Sequence, residues 1–515
     1  MSVAISGVLG RLFEILWIGK HVRAAERFVR RHSANALFYM ALATYIVLWM
    51  LYFNISNASV DIHFDLSEAS VWAEKFAFGY KHPPMTAWVF ILWFSVFPRA
   101  DWAAYLLAVT TIAVTFMIIW RLLRDYLDTE RALVGIAALM LIPLFTFQAS
   151  RLNANTVIMP FWAAALLFYL RARRNLGIVD AILAGAFASL AFLGKYWAIY
   201  LIAGMMIASF IGSGTRRFWR SPVPYLMAAS AAIVVAPHLY WFATERSHDT
   251  REFMAASVMT NDPLGTALIR SISYLGGAAA YIVVPLMFLA VLRPTRAALA
   301  DILWPADRDR QQAHLLFLLP LVLPALANLA FPHRLTALWT FPNWALLPVV
   351  LFGSPLITVH PVAVARAGLV ALAVSLAAVM ASPYVAYLRL KSNPGAHEAH
   401  FRQVADEVAR LSTPSVQLIA GTREIVQGLP FYLPQFHPIE LPSRTDAAAS
   451  AAITAKGLVI ICSSTDEPCR SASTAIMGPA NRSTDVTFTR RFLGIEGPPD
   501  SYHITVIAAT AAKTR

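Results

Sequence analysis

The sequence predicts an all-α polytopic membrane protein with a small α/β domain at its C-terminal end. Three observations carry this. The 515-residue chain is 58% hydrophobic and only 14% charged, with a mean hydropathy of +0.58. Apolar stretches long enough to cross a hydrocarbon layer of roughly 30 Å recur along most of it. After residue 389 the apolar runs shorten to strand length (Val416–Ala420, Gly457–Cys462, His503–Ala508), around a helix expected at His400–Leu411.

The charge agrees with a membrane location. A net +13 in a soluble domain suggests nucleic acid. Here the Lys and Arg residues gather in loops between apolar runs, as they do in loops held in the cytoplasm, so no nucleic-acid partner is implied. Residues 1–35 read as a basic amphipathic cytoplasmic segment without a cleavable signal, 36–388 as the transmembrane domain and 389–515 as an external domain.

Crossings are expected near 36–53, 102–120, 132–148, 153–170, 178–194, 198–212, 223–243, 267–292, 312–331, 337–352 and 362–388, with a shorter apolar run at 84–97 that re-enters or lies at the interface. Eleven crossings, or thirteen on another parsing, put the N-terminus inside and the C-terminal domain outside. The basic loops Arg121–Arg131, Arg171–Arg174, Arg216–Arg220 and Arg293–Arg310 then all face the cytoplasm. Five cations fall on the other side against this bias: Lys81, Arg151, Lys195, His333 and Arg334. A lone interfacial cation usually snorkels. Several from separate loops, on the face that also carries an acidic cluster, predict an anion site, and for lipid chemistry that anion is a phosphate.

The acidic cluster is the stretch Asp61–Trp88. It sets Asp61, Asp65, Glu68 and Glu74 among Trp72, Phe76, Phe78 and Tyr80. From Leu66 to Phe78 the apolar residues share one helical face, which predicts an interfacial helix with its rings in lipid and its carboxylates toward water or a cavity. Lys81-His82-Pro83-Pro84 is expected to stop it, because a residue before proline avoids the α region. Asp65 and Glu68 lie three apart and share a helical face. They suit general-base work on an acceptor hydroxyl, with cations stabilising a departing phosphate. The structural alternative makes Asp65 an N-cap and Glu68 the N3 acid of a capping box.

Other features are less specific. His82 is either a substrate contact or a helix-stop residue packed on Pro83. His238 reads as a buried, hydrogen-bonded histidine. Asn153 and Asn155 bond a sugar or satisfy helix ends. Cys462 and Cys469 leave a disulfide and two free thiols equally open. Gly-rich phosphate loops, Walker motifs and internal repeats are lacking, so ATP-driven chemistry has no support. The sequence requires no cofactor, although Asp61, His63, Asp65 and Glu68 leave a divalent cation open.

Several stretches together resemble the GT-C membrane glycosyltransferases that use polyprenyl-phosphate sugars, in the branch of protein O-mannosyltransferases, lipid A aminoarabinose transferases and lipopolysaccharide galacturonosyltransferases. They are Asp65-Leu-Ser-Glu68-Ala, Gly79-Tyr-Lys81-His-Pro-Pro84 with Trp88, Arg151-Leu-Asn153-Ala-Asn155-Thr, Leu193-Gly-Lys195-Tyr-Trp197, Ala236-Pro-His238 with Trp241, and Leu338-Trp-Thr-Phe-Pro342. The resemblance spans residues 36–350. It implies a catalytic carboxylate at Asp65, with Glu68 at a second acidic position and Asp61 in reserve, since Leu66 stands where many relatives carry a second acid. It implies donor-phosphate contacts from Lys81 and Lys195; the outer-face cation reading adds Arg151 and Arg334, and Tyr80, His82, Asn153 and Asn155 are the expected substrate contacts. The expected partners are a polyprenyl-phosphate-linked sugar donor, a lipid, lipopolysaccharide or protein acceptor, and membrane lipids. A flippase for lipid-linked sugars, or a surface-polysaccharide polymerase or ligase, is the competing reading. Few mid-span charges and the concentration of acids in one external loop count against the flippase.

Overall fold

Long apolar runs, several of them opened by a polar capping residue, become the main helices of the computed structural model. It describes residues 19–73, 75–80, 82–244, 255, 258–392, 400–413, 415–440, 453–476 and 482–509. Ser33 accepts from the amide of Ala36 and opens Ala34–Ser56. Asp128 and Asp307 open Thr129–Leu139 and Arg308–Ala330 in the same way, each satisfying an amide that the first helical turn leaves without a partner.

Among the described residues six helices are long and apolar enough to cross a membrane: Ala34–Ser56, Asp101–Leu123, Ala154–Asn175, Val223–Thr244, Arg308–Ala330 and Pro361–Lys391. A bent pair, Leu264–Tyr281 and Val283–Val291, turns by 48° at Ile282 and makes a seventh if taken as one span. The remaining expected crossings are shorter. Met85–Phe94, Ile178–Gly194, Tyr196–Ser209 and Ala337–Phe352 are apolar helices of 10–17 residues, and the run expected at 132–148 is helical only over Thr129–Leu139 before a 3-10 turn at Pro143–Phe145. The continuous apolar pattern of 132–148 and 267–292 hid the breaks at Pro143 and Ile282, which interrupt the helical backbone without adding charge, whereas the break at Lys195 falls between two expected crossings.

Helices Ala154–Asn175 and Ile178–Gly194 form a tight hairpin, and Val223–Thr244 lies against the second of them. Gly185 permits that approach, since a Cβ there would sit 2.0 Å from the carbonyl oxygen of Met227. Where Ala154–Asn175 ends, the basic loops are tied together. Arg171 pairs with Asp125 at 2.6 Å and Arg174 with Asp309 at 2.7 Å, while Arg173 donates to Thr215. A 22-residue helix spans about 33 Å, so these cations and the acidic loop lie at opposite ends of the bundle.

The C-terminal domain is a five-stranded sheet of order β2-β1-β3-β5-β4. Its strands are β1 (Leu418–Gly421), β2 (His437–Glu440), β3 (Leu458–Ser463), β4 (Arg482–Phe492) and β5 (Ile495–Ile507). β1 runs parallel to both β2 and β3, whereas β5 pairs antiparallel with β3 and β4. Helix Phe401–Leu411 buries Phe401, Val404, Ala405 and Val408, a spacing of three and four that makes one apolar face. Cys462 and Cys469 form a disulfide.

The acidic loop is a junction between the bundle and this domain. The helix expected over 66–78 runs only from Phe64 to Trp72, so Phe76 is not on it. Its cap is His63, whose Nδ1 accepts from the Asp65 amide at 3.2 Å; Asp65 falls in the first turn instead of at the cap. Proline does not end it. It ends at Trp72, and in the segment beyond it the Tyr80 hydroxyl donates to Lys75 O and Trp88 Nε1 donates to Ala77 O at 2.8 Å. Its apolar face is covered by protein, and of its two acids the Asp65 side chain is half-exposed while Glu68 is buried. Leu66, Ser67, Glu68, Ala69 and Ser70 are buried, because Ile62, Leu66 and Ala69 pack with Phe90 on one side and Phe431 on the other.

Asp61 fixes that junction. Its carboxylate accepts from the amide of Phe401 at 2.7 Å, at the start of helix Phe401–Leu411, and faces Arg402 at 3.6 Å. Arg402 also reaches Asp101 at 2.5 Å. The Tyr432 hydroxyl donates to Asp101 at 3.1 Å and accepts from the amide of Ile62 at 3.2 Å. Burial pushes the Asp61 carboxyl up to about 6, with Arg402 opposing. A carboxyl whose folded value is raised contributes stability that is present below the ordinary carboxylate range and is lost as pH rises toward the folded value. Asp61→Asn, which imitates the neutral carboxyl, is therefore expected to flatten the fall in thermal stability between about pH 4 and pH 6. Melting curves across that range check this, and equal slopes in the two proteins contradict it.

Candidate active site

Asn153 precedes the apolar helix Ala154–Asn175 and caps it: its side-chain oxygen accepts from the amide of Asn155 at 2.9 Å. The same oxygen accepts from Asn155 Nδ2 at 3.2 Å. With its oxygen engaged, Asn153 turns its amide nitrogen outward and donates to Asp65 Oδ2 at 2.9 Å. Asn155, in the first turn of the helix, presents its own oxygen to Lys195, whose Nζ donates at 2.7 Å. Four side chains from three segments thus form one polar chain, Asp65–Asn153–Asn155–Lys195, at the positive end of a helix dipole.

Lys195 occupies the break between Ile178–Gly194 and the turn Tyr196–Ala198. Its ammonium lies 4.2 Å from the ring centre of Trp339 and 5.9 Å from that of Trp197, and the two indoles pack edge to face at 4.8 Å. Aromatic faces attract a cation but replace little of its hydration. Burial accordingly pulls the ammonium down to about 7, with the negative charge of Asp65 acting the other way. An anion placed beside Lys195 would favour its protonated form.

Asp65 is at once anchored and accessible: its side chain is 41% exposed, and His63 Nδ1 stands 3.8 Å from it. The segment that follows Asp65 is held from the bundle side. His238, after Pro237 in Val223–Thr244, donates through Nδ1 to Phe78 O at 2.6 Å and meets the Tyr196 hydroxyl through Nε2 at 2.9 Å. Gly79 lies against Trp241, where a Cβ would come within 2.1 Å of the indole; only glycine fits that approach. Phe76 stacks on Trp88 at 5.4 Å, and His82 packs on Trp72 at 4.7 Å.

The structure brings Asp65, Asn153, Asn155 and Lys195 together by direct bonds. Glu68 is buried in the acid helix, and Asp61 is engaged with the C-terminal domain. Tyr80 and His82 form the loop beyond that helix. Arg151 is exposed two residues before Asn153. Arg334 is exposed, with its amide donating to Val258 O at 2.8 Å. Lys81 lies outside the described residues. Among the described residues no group of three or more His, Cys, Asp and Glu side chains could hold a metal ion. The sequence pattern alone does not reveal Trp339 as a wall for Lys195, His238 as a fastening for the acidic loop, or Arg270, which bridges Asp262, the Thr260 hydroxyl and the His333 carbonyl. The motifs Trp-Thr-Phe-Pro and Ala-Pro-His held the signal for the first two; nothing local marks Arg270.

A profile of the family described as dolichyl-phosphate-mannose-protein mannosyltransferase matches residues 81–241, which include both asparagines and Lys195 but begin after Asp65. Over nearly its full length the chain superimposes on ArnT from Cupriavidus metallidurans bound to undecaprenyl phosphate, with a TM-score of 0.63 at 13% identity, covering 94% of this chain and 100% of ArnT. The apo form of ArnT gives 0.60 at 12% identity, covering 92% and 98%. The chain has the GT-C glycosyltransferase fold. Two curated relatives come from Rhizobium johnstonii. The lipopolysaccharide core galacturonosyltransferase RgtB is 30% identical over 42% of this chain and 44% of its own length. The lipid A galacturonosyltransferase RgtD is 25% identical over 57% and 59%. The matched regions thus span about half the length of each relative.

If Asn153 both caps the helix and holds Asp65, Asn153→Ala costs about 1 kcal/mol of stability, whereas Asn153→Ser retains the cap. Thermal denaturation should show a lower melting temperature for the alanine variant and most of the loss recovered by serine. Equal loss in both variants contradicts the capping role.

Proposed function

We propose that this protein is an integral-membrane glycosyltransferase of the bacterial inner membrane. It takes a sugar from a polyprenyl-phosphate donor and attaches it to a lipid, lipopolysaccharide or protein hydroxyl on the periplasmic face. The observation that carries this reading is the polar chain from Asp65 to Lys195, which couples a half-exposed carboxylate to a partly buried ammonium through two asparagines.

Each end of that chain has a task. Asp65 receives the acceptor hydroxyl proton while the acceptor oxygen bonds to the anomeric carbon. The bond from that carbon to the donor phosphate breaks, and its electrons leave on the phosphate. Attack from the face opposite the leaving group inverts the anomeric centre. Lys195, assisted by Lys81, Arg151 and Arg334, compensates the charge on the phosphate; an anion there favours the protonated lysine, in keeping with its lowered range. The Asn153 amide keeps Asp65 oriented, and buried Glu68 supports the helix on which it sits. Asp61 serves the docking of the C-terminal domain.

The likeness to RgtB and RgtD, one a lipopolysaccharide core transferase and the other a lipid A transferase, favours an acceptor of that kind over a protein. The undecaprenyl phosphate bound to ArnT favours an undecaprenyl-type carrier. Basic loops tied together at the far end of the bundle favour a cytoplasmic location for that end. The site end, with the C-terminal domain, then faces the periplasm, where no nucleotide sugar is needed.

The test is single-turnover transfer from a panel of radiolabelled polyprenyl-phosphate sugars into membranes holding wild-type or Asp65→Asn protein. Transfer from one donor, lowered roughly a hundredfold or more by the substitution while donor binding persists, is the expected result. Wild-type rates in the variant, or no transfer from any donor, contradict the proposal.

A further inference from the structure

A second cleft opens away from the polar chain, where the first span, the start of Asp101–Leu123 and the C-terminal domain meet. It encloses about 450 Å³ between Asn57, Arg99, Trp102, Tyr105, Arg402 and Tyr432; neither Asp65 nor Lys195 lines it. Of its two lining cations, Arg402 faces both nearby carboxylates, Asp101 and Asp61. Asp101 is committed on both oxygens, one to Tyr432 and the other to Arg402. Arg99 is half-buried, and its one hydrogen bond among the described residues goes to a carbonyl, Pro430 O at 3.1 Å. Arg389, from the last turn of Pro361–Lys391, donates to the side-chain oxygen of Asn57. Among the described residues neither Arg99 nor Arg389 has a carboxylate within 4 Å.

A guanidinium kept from water without a counter-charge is costly. Burial pushes the Arg99 group below its usual range, with no carboxylate opposing. The planar fork of arginine matches phosphate oxygens better than it matches lone carbonyls. One wall of the cleft locates the source of such an anion. Trp102 is 44% exposed at the first turn of an apolar 23-residue helix, the position at which tryptophan marks the boundary between hydrocarbon and head groups. A lipid head group at the level of Trp102 would meet Arg99.

We propose that this cleft binds the phosphate of an anionic lipid head group at Arg99, beside Arg402, with Arg389 held next to the cleft by Asn57. The bound lipid ties the first two long helices to the C-terminal domain. The site is separate from the candidate active site, and its occupancy does not depend on the glycosyl-transfer reading.

Delipidated full-length protein, titrated with phosphatidylglycerol and followed by native mass spectrometry, tests it. Wild-type protein is expected to hold one tight lipid whose affinity drops at least tenfold in Arg99→Gln and in Arg389→Gln, with diacylglycerol failing to bind there. Circular dichroism on each variant verifies the helical content, and either variant suffices if the other does not fold. Unchanged tight binding in the folded variants overturns the proposal. Inorganic phosphate that binds as tightly as the lipid, with the same arginine dependence, overturns the assignment to a lipid and leaves a free-anion site.

Discussion

Everything at the site end of the molecule depends on how the helix Ala154–Asn175 begins. Its first turn needs an acceptor for its free amides, and Asn153 supplies one. Aspartate or serine would cap as well, but neither offers an amide nitrogen as a donor on the reverse side. Asparagine caps the helix with its oxygen and grips Asp65 with its nitrogen. One local backbone need thereby sets the position of a carboxylate 88 residues earlier in the chain. Asn155 extends the chain to Lys195, so the carboxylate and the ammonium stay fixed relative to each other.

The same economy of contacts holds the acidic loop in place. On one side His238 and Trp241, both on Val223–Thr244, fasten Phe78 and Gly79. On the other, Asp61 receives the first amide of a helix in the C-terminal domain, and Tyr432 bridges Ile62 to Asp101. The acid helix between them is nine residues long, too short to be stable by itself in water. Packing from both sides supplies what propensity does not, and Asp65 remains reachable because it lies at the helix start, beyond the buried stretch Leu66–Ser70.

Much of this was legible in the residues. Hydropathy located the long helices, since Ala34–Ser56, Asp101–Leu123 and Pro361–Lys391 are uninterrupted apolar runs. The shift to short β-rich runs marked the sheet domain, with β3 falling on the stretch Gly457–Cys462. Asp65, Asn153, Asn155 and Lys195 each stood out as polar groups beside apolar segments, but their connection did not. A hydrogen bond between residues 88 apart leaves no local pattern, whereas an i, i+3 pair does. The acid helix shows the limit from the other direction. Its periodicity indicated an amphipathic surface helix, yet the apolar face is covered by protein and the helix ends at Trp72. Periodicity reports which face is apolar and is silent on whether lipid or another domain covers it. The dual engagement of Asp61 was invisible for the same reason, because its partner Phe401 lies 340 residues away.

Whether Asp65 and Lys195 act as one unit through the two asparagines is measured most directly by a double-mutant cycle. Single-turnover sugar transfer would be followed in wild-type, Asp65→Asn, Lys195→Met and doubly substituted protein, with donor at saturation. If the chain works as a unit, the double variant is about as slow as the slower single variant, and the two effects fail to multiply. Losses that multiply across the two positions would mean that the carboxylate and the ammonium act independently, and would contradict their coupling through Asn153 and Asn155.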